Sequence, residues 1–394
     1  MEYNFDIYKP RIGVGSEKWD AMHRSMSDLP KDIVPLSTAD MEFATPPEIV
    51  EGLKRYLDDT ILGYTVIVPS YYDALRSWMD RRLGWQIQDE WVVITPGVVS
   101  AFTAAIKAFS APGDGVIIMP PVYFPFYAAI EKNSCKVVRS PLLEGNARYE
   151  IDFDDLEKKA KDPNNKILLF CSPHNPGGRV WPKEDLLRIA QICLENDLLL
   201  ISDEIHADFI MPGHRHTVMA TLSEAIADIT ITCTAPSKTF NLAGLNHSNI
   251  IISNAALREQ FKAQYDAIYA GTSSVLSWKA CEIAYTSCEG WLDELNQYIH
   301  DNYNFTKKYI QEYAPHIGVF DLEGTYLMWL DCRKMSLSKE RLKEEMHNAH
   351  LFFNEGYIFG EEGAGFERLN LACPRSVLEK AMERFCEVAR RHRP

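Results

Sequence analysis

Between about residues 90 and 254 the chain alternates short apolar runs with amphipathic stretches, the pattern left by βα units feeding a mostly parallel sheet. The apolar runs predict strands over 92–95, 116–119, 136–139, 166–171, 198–202, 229–234 and 250–252. Apolar positions at helical spacing predict helices over 99–109, 124–132, 183–195 and much of 256–289. Beyond Trp291 the pattern changes to an α+β succession: a long helical stretch, apolar runs at 318–322 and 326–331, a helix from Lys339, a run at 368–372 and a last helix. The expected fold is therefore α/β, with a large domain over 48–288 around a mostly parallel sheet. A smaller α+β domain is expected from 289–394, completed by 1–47. No internal repeat interrupts this order; Pro46-Pro47 and Gly363-Ala364-Gly365 are local punctuation.

Composition narrows the class. A chain of 394 residues with 46% hydrophobic content can bury a large core. With 41 basic and 55 acidic residues the net charge is -14, and no Lys/Arg block could track a phosphate backbone, which argues against nucleic-acid binding. The first residues form neither a cationic nor an apolar leader, and no stretch approaches the roughly 20 apolar residues of a membrane span, so a cytoplasmic location is expected. The nine cysteines are scattered without paired spacing, which points to reduced thiols.

The candidate chemistry sits where three predicted strands end. The run 229–234 is followed by Ala235-Pro236-Ser237-Lys238-Thr239-Phe240-Asn241, 166–171 by Ser172-Pro173-His174-Asn175-Pro176-Gly177-Gly178, and 198–202 by Asp203. A lysine just past a buried strand can hold a carbonyl cofactor as a Schiff base, and pyridoxal 5'-phosphate (PLP) also needs a carboxylate for its pyridine nitrogen. Lys238 and Asp203 suit those roles, and Lys238, once displaced by a substrate amine, could serve as the base that lifts the α-proton. Alone, Asp203 reads equally well as a helix cap; in company with Asn175 and Lys238 it reads as part of one site. The cofactor phosphate wants backbone donors at a helix start. Thr95-Pro96-Gly97-Val98-Val99-Ser100 offers them through Val98 and Val99, with Gly97 expected in a tight turn and the Ser237 hydroxyl as a further donor. Tyr123, after another strand end, could stack on the ring. Arg368 could pair with a substrate carboxylate; Arg375 competes for that role, and the residues alone do not separate the two.

Three other groupings read as structural. His214-Arg215-His216 follows Pro212-Gly213 and is expected to be a solvated turn, since no further metal ligands stand at suitable spacing. Cys171 and His174 are separated by Pro173 inside the candidate site and are expected to be structural. Gly113-Asp114-Gly115 is a turn before a strand and lacks the rest of a dinucleotide site.

Taken together, these motifs resemble the fold-type I PLP enzymes of the aminotransferase class I/II family, and more closely its C–S β-lyases of the MalY/PatB type, which include the cystalysins. The resemblance spans essentially the whole chain. It rests on Ala39-Asp40-Met41-Glu42-Phe43, Leu62-Gly63-Tyr64-Thr65, the Asn175, Asp203-Glu204-Ile205-His206 and Lys238 motifs, and Gly365-Phe366-Glu367-Arg368-Leu369-Asn370. It implies that Lys238 is the Schiff-base lysine, Asp203 the partner of the pyridine nitrogen, Asn175 a donor to the phenolic oxygen, Tyr123 the stacking ring and Arg368 the carboxylate ligand. It also implies a homodimer with shared active sites, in which Tyr64 reaches the neighbouring subunit's cofactor phosphate. Two positions depart from the wider aminotransferase pattern: His206 stands where many members have tyrosine, and Asn246 where they have a phosphate-binding arginine.

The expected activity is PLP-dependent β-elimination on a small sulfur amino acid, L-cystathionine or L-cysteine, giving thiol or sulfide, pyruvate and ammonia. The rivals are an aminotransferase, which shares the first deprotonation, and a PLP-binding protein that acts by contacting a regulator. The loops 61–72 and 270–274 are expected to shape the pocket beyond the substrate α-carbon.

Overall fold

The computed structural model describes residues 3–26, 29–268 and 273–394. In chain order its first strands are β1 (Val92–Thr95), β2 (Gly115–Ile118), β3 (Lys136–Arg139), the short hairpin β4 (Leu143–Glu144) and β5 (Tyr149–Glu150), β6 (Asn165–Cys171), β7 (Leu199–Asp203), β8 (Thr230–Thr234) and β9 (Ser248–Ile251). Seven of them form one sheet in the order β1-β9-β8-β7-β6-β2-β3. β3, β2, β6, β7 and β8 are parallel to one another, whereas β9 runs antiparallel to both β8 and β1. One edge of the sheet therefore collects the carboxyl ends of β1, β2, β6, β7 and β8 together with the amino end of β9, and open α/β sheets bind their ligands at that edge.

The central strands are apolar on both faces because helices cover both. Ile167, Leu169 and Ile201 share a core with Val98, Ala101, Phe102 and Ala105 of the helix Val98–Phe109, whose alanines let it lie close to the sheet. Leu168, Phe170 and Leu200 face the other way, onto Leu186, Ile189 and Ala190 of the helix Lys183–Glu195. The predicted helical stretch 256–289 is two helices, Ala255–Ala267 and Val275–Ser287, each started by a side-chain cap, Asn254 and Ser274.

The remainder is a second sheet, β10 (Gly318–Val319), β11 (Leu327–Asp331), β12 (Asn354–Glu355) and β13 (Phe366–Asn370), antiparallel in the order β10-β11-β13-β12. Around it lie the helices Glu289–Tyr313, Lys339–Asn348 and Arg375–Arg391. The run 318–322 is a strand only over its first two residues, because the Asp321 N–H turns to the Ala147 carbonyl and those of Glu323 and Gly324 to the Gly178 carbonyl. The N-terminal segment is stitched to this unit: the Leu36 N–H donates to Phe352, the Asn370 N–H to Leu36 and the Glu42 N–H to Ala372, each at 2.9 Å. Three helices before β1, Glu17–Ser25, Pro47–Asp59 and Pro69–Leu83, had no counterpart in the pattern read from the sequence.

Candidate active site

At the collecting edge of the large sheet lies a cavity of about 490 Å³. Its wall includes Val98, Val99, Tyr123, Asn175, Asp203, His206, Ser237, Lys238 and Arg368, so the fold brings together every predicted site residue except Tyr64. Tyr64 is fully exposed at the surface, beside Ile61, Leu62 and Val66, and does not line its own chain's cavity. Of the loop 270–274, residues 270–272 lie outside the described residues.

Asp203, Lys238 and Tyr123 are placed at or just after strand ends. Asp203 closes β7, buried, and its Oδ1 accepts from the Ile205 N–H (3.2 Å). Burial pushes its carboxyl up to about 7, although the Ile205 bond and the charge of Lys238 pull the other way. Lys238 sits in the short helix Pro236–Thr239 after β8, and its Nζ donates to the Ala39 carbonyl at 2.9 Å. Burial, with help from the Arg368 charge, pushes the ammonium down to about 8 against the opposing pull of Asp40 and Asp203. A buried carboxylate raised and a buried amine lowered bring both groups close to neutral pH, the arrangement that proton-transfer chemistry uses. Tyr123 follows β2, and burial raises its phenol to about 12.

Arg368, on β13, reaches across from the second sheet. It donates to Asn175 Oδ1 (2.8 Å), Asn354 Oδ1 (2.5 Å) and the Ser37 carbonyl (3.1 Å), its guanidinium lies over the Phe359 ring, and its Nε has no partner. Burial lowers its pKa to about 10. The fold thereby separates the two arginines: Arg375 starts the last helix, donates to Asn302 Oδ1 and lies over Phe305, outside the cavity wall.

Two expectations are corrected. Gly97 is extended, at φ 166°, with open space where a Cβ would stand, so the phosphate-side loop is not a turn that demands glycine. The grouping His214-Arg215-His216 is solvated only in part: His216 is buried, with Nε2 2.8 Å from Glu204 Oε2, because a glutamate carried into the interior beside Asp203 needs a partner. Cys171 and His174 are buried, the thiol accepting from the Asn175 N–H and His174 Nδ1 from the Gly177 N–H, and Cys171 also lines the cavity beside Asn175 and Asp203. Gly113 is in the left-handed region (φ 93°) in the turn before β2, as its spacing implied.

Reasoning from the residues missed the wall supplied by Thr38 and Ala39, together with Asn354 and His247. Ala39-Asp40-Met41 stood out only as a motif. Its function is architectural: the Ala39 carbonyl accepts from both Lys238 and Tyr326, while Met41 exchanges two hydrogen bonds with the Asn241 side chain. Nothing local in sequence marks Asn354 or His247, since their partners lie 14 and 176 residues away.

The donor set suits PLP: a lysine and a carboxylate at neighbouring strand ends, an aromatic ring, and the start of the 12-residue helix Val98–Phe109 with the Ser237 hydroxyl close by as anion donors. The fold and this site define a fold-type I enzyme scaffold, and the chain belongs to the aminotransferase class I and II family, whose profile matches residues 31–385. Within that family the chain is 41% identical to the cystathionine β-lyase PatB of Bacillus subtilis, over 97% of this chain and 98% of PatB. It is 31% identical to the protein MalY of Escherichia coli, over 96% and 97%. The structure superposes on cystalysin from Treponema denticola, which contains a pyridoxal 5'-phosphate cofactor, with a TM-score of 0.97 and 48% identity, covering 99% of this chain and all of that one.

Proposed function

We propose that the chain is a PLP-dependent carbon–sulfur β-lyase acting on small sulfur amino acids such as L-cystathionine or L-cysteine. The observation that carries this is the convergence of Lys238, Asp203, Asn175 and Arg368 on one cavity, in a chain 41% identical to a cystathionine β-lyase over nearly its whole length. Lys238 would bind the cofactor's aldehyde carbon, Asp203 its ring nitrogen, Asn175 its phenolic oxygen and Tyr123 a ring face, with Val98, Val99, Ser237 and His206 completing the wall. PLP bound there supplies an electron sink for the substrate α-carbon.

The chain's own groups do the rest. Arg368 offers a fixed guanidinium with an unpartnered Nε to the substrate carboxylate, which orients the α-carbon toward Lys238. Lys238, already lowered to about 8, is a competent base at that carbon once its amine is free. Loss of the α-proton and departure of the β-thiolate release a three-carbon enamine whose hydrolysis gives pyruvate and ammonia.

The same reading includes a homodimer with shared sites. The exposed apolar arm of Ile61, Leu62, Tyr64 and Val66 supports it, because such a patch is costly to leave in water and Tyr64 has no role in its own cavity. The division into 48–288 and 1–47 with 289–394 is retained in the proposal, supported by the bonds of 36–42 to β13 and Ala372. A cytoplasmic site of action is likewise proposed, consistent with nine free, buried cysteines; no helix among the described residues is long and apolar enough to cross a membrane.

The deciding measurement is release of pyruvate and free thiol from L-cystathionine and L-cysteine, with PLP present and no keto-acid acceptor. Sustained stoichiometric release of both is expected. A single turnover that leaves the cofactor as pyridoxamine phosphate would make the protein an aminotransferase, and PLP binding without turnover would favour the regulatory reading.

A further inference from the structure

His247 stands at the end of the loop that leads from Lys238 to β9, and it lines the same cavity as Val98, Val99, Ser100, Ser237 and Asn246. Because β9 runs against the other described strands of the large sheet, its amino end delivers this histidine to the edge where those strands end. The ring is 3% exposed. Its Nε2 lies 2.7 Å from the Tyr71 hydroxyl, which also hydrogen-bonds to Asn249 Oδ1. A tyrosine has one proton to give; once that goes to Asn249, His247 must donate from Nε2, and Nδ1 remains. Nδ1 is buried with no protein partner. Its neighbour Asn246, held in the left-handed region at φ 53°, carries no charge. Besides Lys238 and Arg368, only His206 and His247 among the described residues of the wall can become cationic.

We propose that His247 is a ligand of the cofactor phosphate, donating from Nδ1 while Tyr71 and Asn249 hold the ring by Nε2. This rests on the PLP reading of the cavity. Burial pushes the imidazole down to about 4, so with protein groups alone the ring is neutral at pH 7. A phosphate, whose second pKa is about 6, supplies the opposite charge that favours the imidazolium. The charge that an arginine at position 246 would have brought is then supplied by the next residue.

The test separates the two ring nitrogens. His247→Gln keeps an amide near the Nε2 position and loses Nδ1, whereas His247→Asn keeps a donor near Nδ1 and loses the Tyr71 contact. PLP dissociation constants and the ³¹P chemical shift of the bound cofactor are measured for both, with pyridoxal, which lacks the phosphate, as the second ligand. The expected result is PLP binding weakened about tenfold in His247→Gln with a moved ³¹P resonance, smaller losses in His247→Asn, and unchanged binding of pyridoxal. Wild-type PLP affinity and ³¹P shift in His247→Gln would overturn the proposal, as would equal weakening of PLP and pyridoxal, which marks a structural role. A wild-type protein that takes up no PLP at all would overturn the cofactor reading as well.

Discussion

Asp203 shows how burial sets the chemistry of a single residue. Its folded pKa, raised to about 7 from 3.8, means that the native apo-protein holds a proton the unfolded chain would release. The stability this contributes is fully present below about pH 4 and is lost as the pH rises through 7. Asp203→Asn is therefore expected to stabilise the apo-protein at pH 8 relative to wild type, by an amount on the order of a few kcal/mol, and to change it little at pH 4, as thermal unfolding at the two pH values will show. The same variant is expected to hold PLP more weakly. Lys238→Ala should abolish both turnover and the cofactor's lysine-linked absorbance band. In the wild-type apo-protein, capture of PLP should speed up with pH until about 8 and then level off, because only the neutral amine attacks the aldehyde; stopped-flow absorbance reads this directly. Asn354 is the partner the sequence did not disclose. Removing it in Asn354→Ala frees one arm of Arg368 and should raise KM about tenfold with a smaller change in kcat, measured by steady-state kinetics.

At the level of elements, the βα alternation was legible because both faces of β6 and β7 are buried, so that their apolar runs are continuous and end sharply at polar residues. The candidate site residues lay at those ends and just after β8, and so Asn175, Asp203 and Lys238 could be picked out without a structure. The reversal of β9 could not, since a strand's direction depends on which neighbour it meets rather than on its own composition. The segment around Ala39 was equally opaque: its contribution is a main-chain carbonyl, which every residue type provides. Another element depends on two glycines meeting. A Cβ on Gly356 would stand 2.1 Å from the Gly363 oxygen, and one on Gly363 2.2 Å from the Gly356 oxygen, in the double turn that leads into β13. Gly363→Ala should therefore force the turn apart and lower stability by about 2–4 kcal/mol. Urea unfolding measures the loss, and a midpoint unchanged from wild type would refute this account of the turn.

For the whole molecule, the question is whether a complete site needs two chains. If Tyr64 of one subunit serves the other's cavity, Tyr64→Ala and Lys238→Ala homodimers are both impaired. Subunits of the two variants mixed and allowed to exchange should recover activity, since each mixed dimer holds one cavity with Lys238 intact and Tyr64 supplied across the interface. Absence of recovery, with exchange verified by native mass spectrometry, would place Tyr64 outside the site.

The Ala39 carbonyl has a practical side. It touches Lys238 while its flanks are fastened to β13 and to Asn241, so the stretch leading up to residue 40 is a working wall rather than a loose end. A chain trimmed past Asp40 to aid crystallisation could keep the large sheet and still lose catalysis. A tag meant to leave the site untouched belongs away from this stretch, on a surface that no wall residue shares.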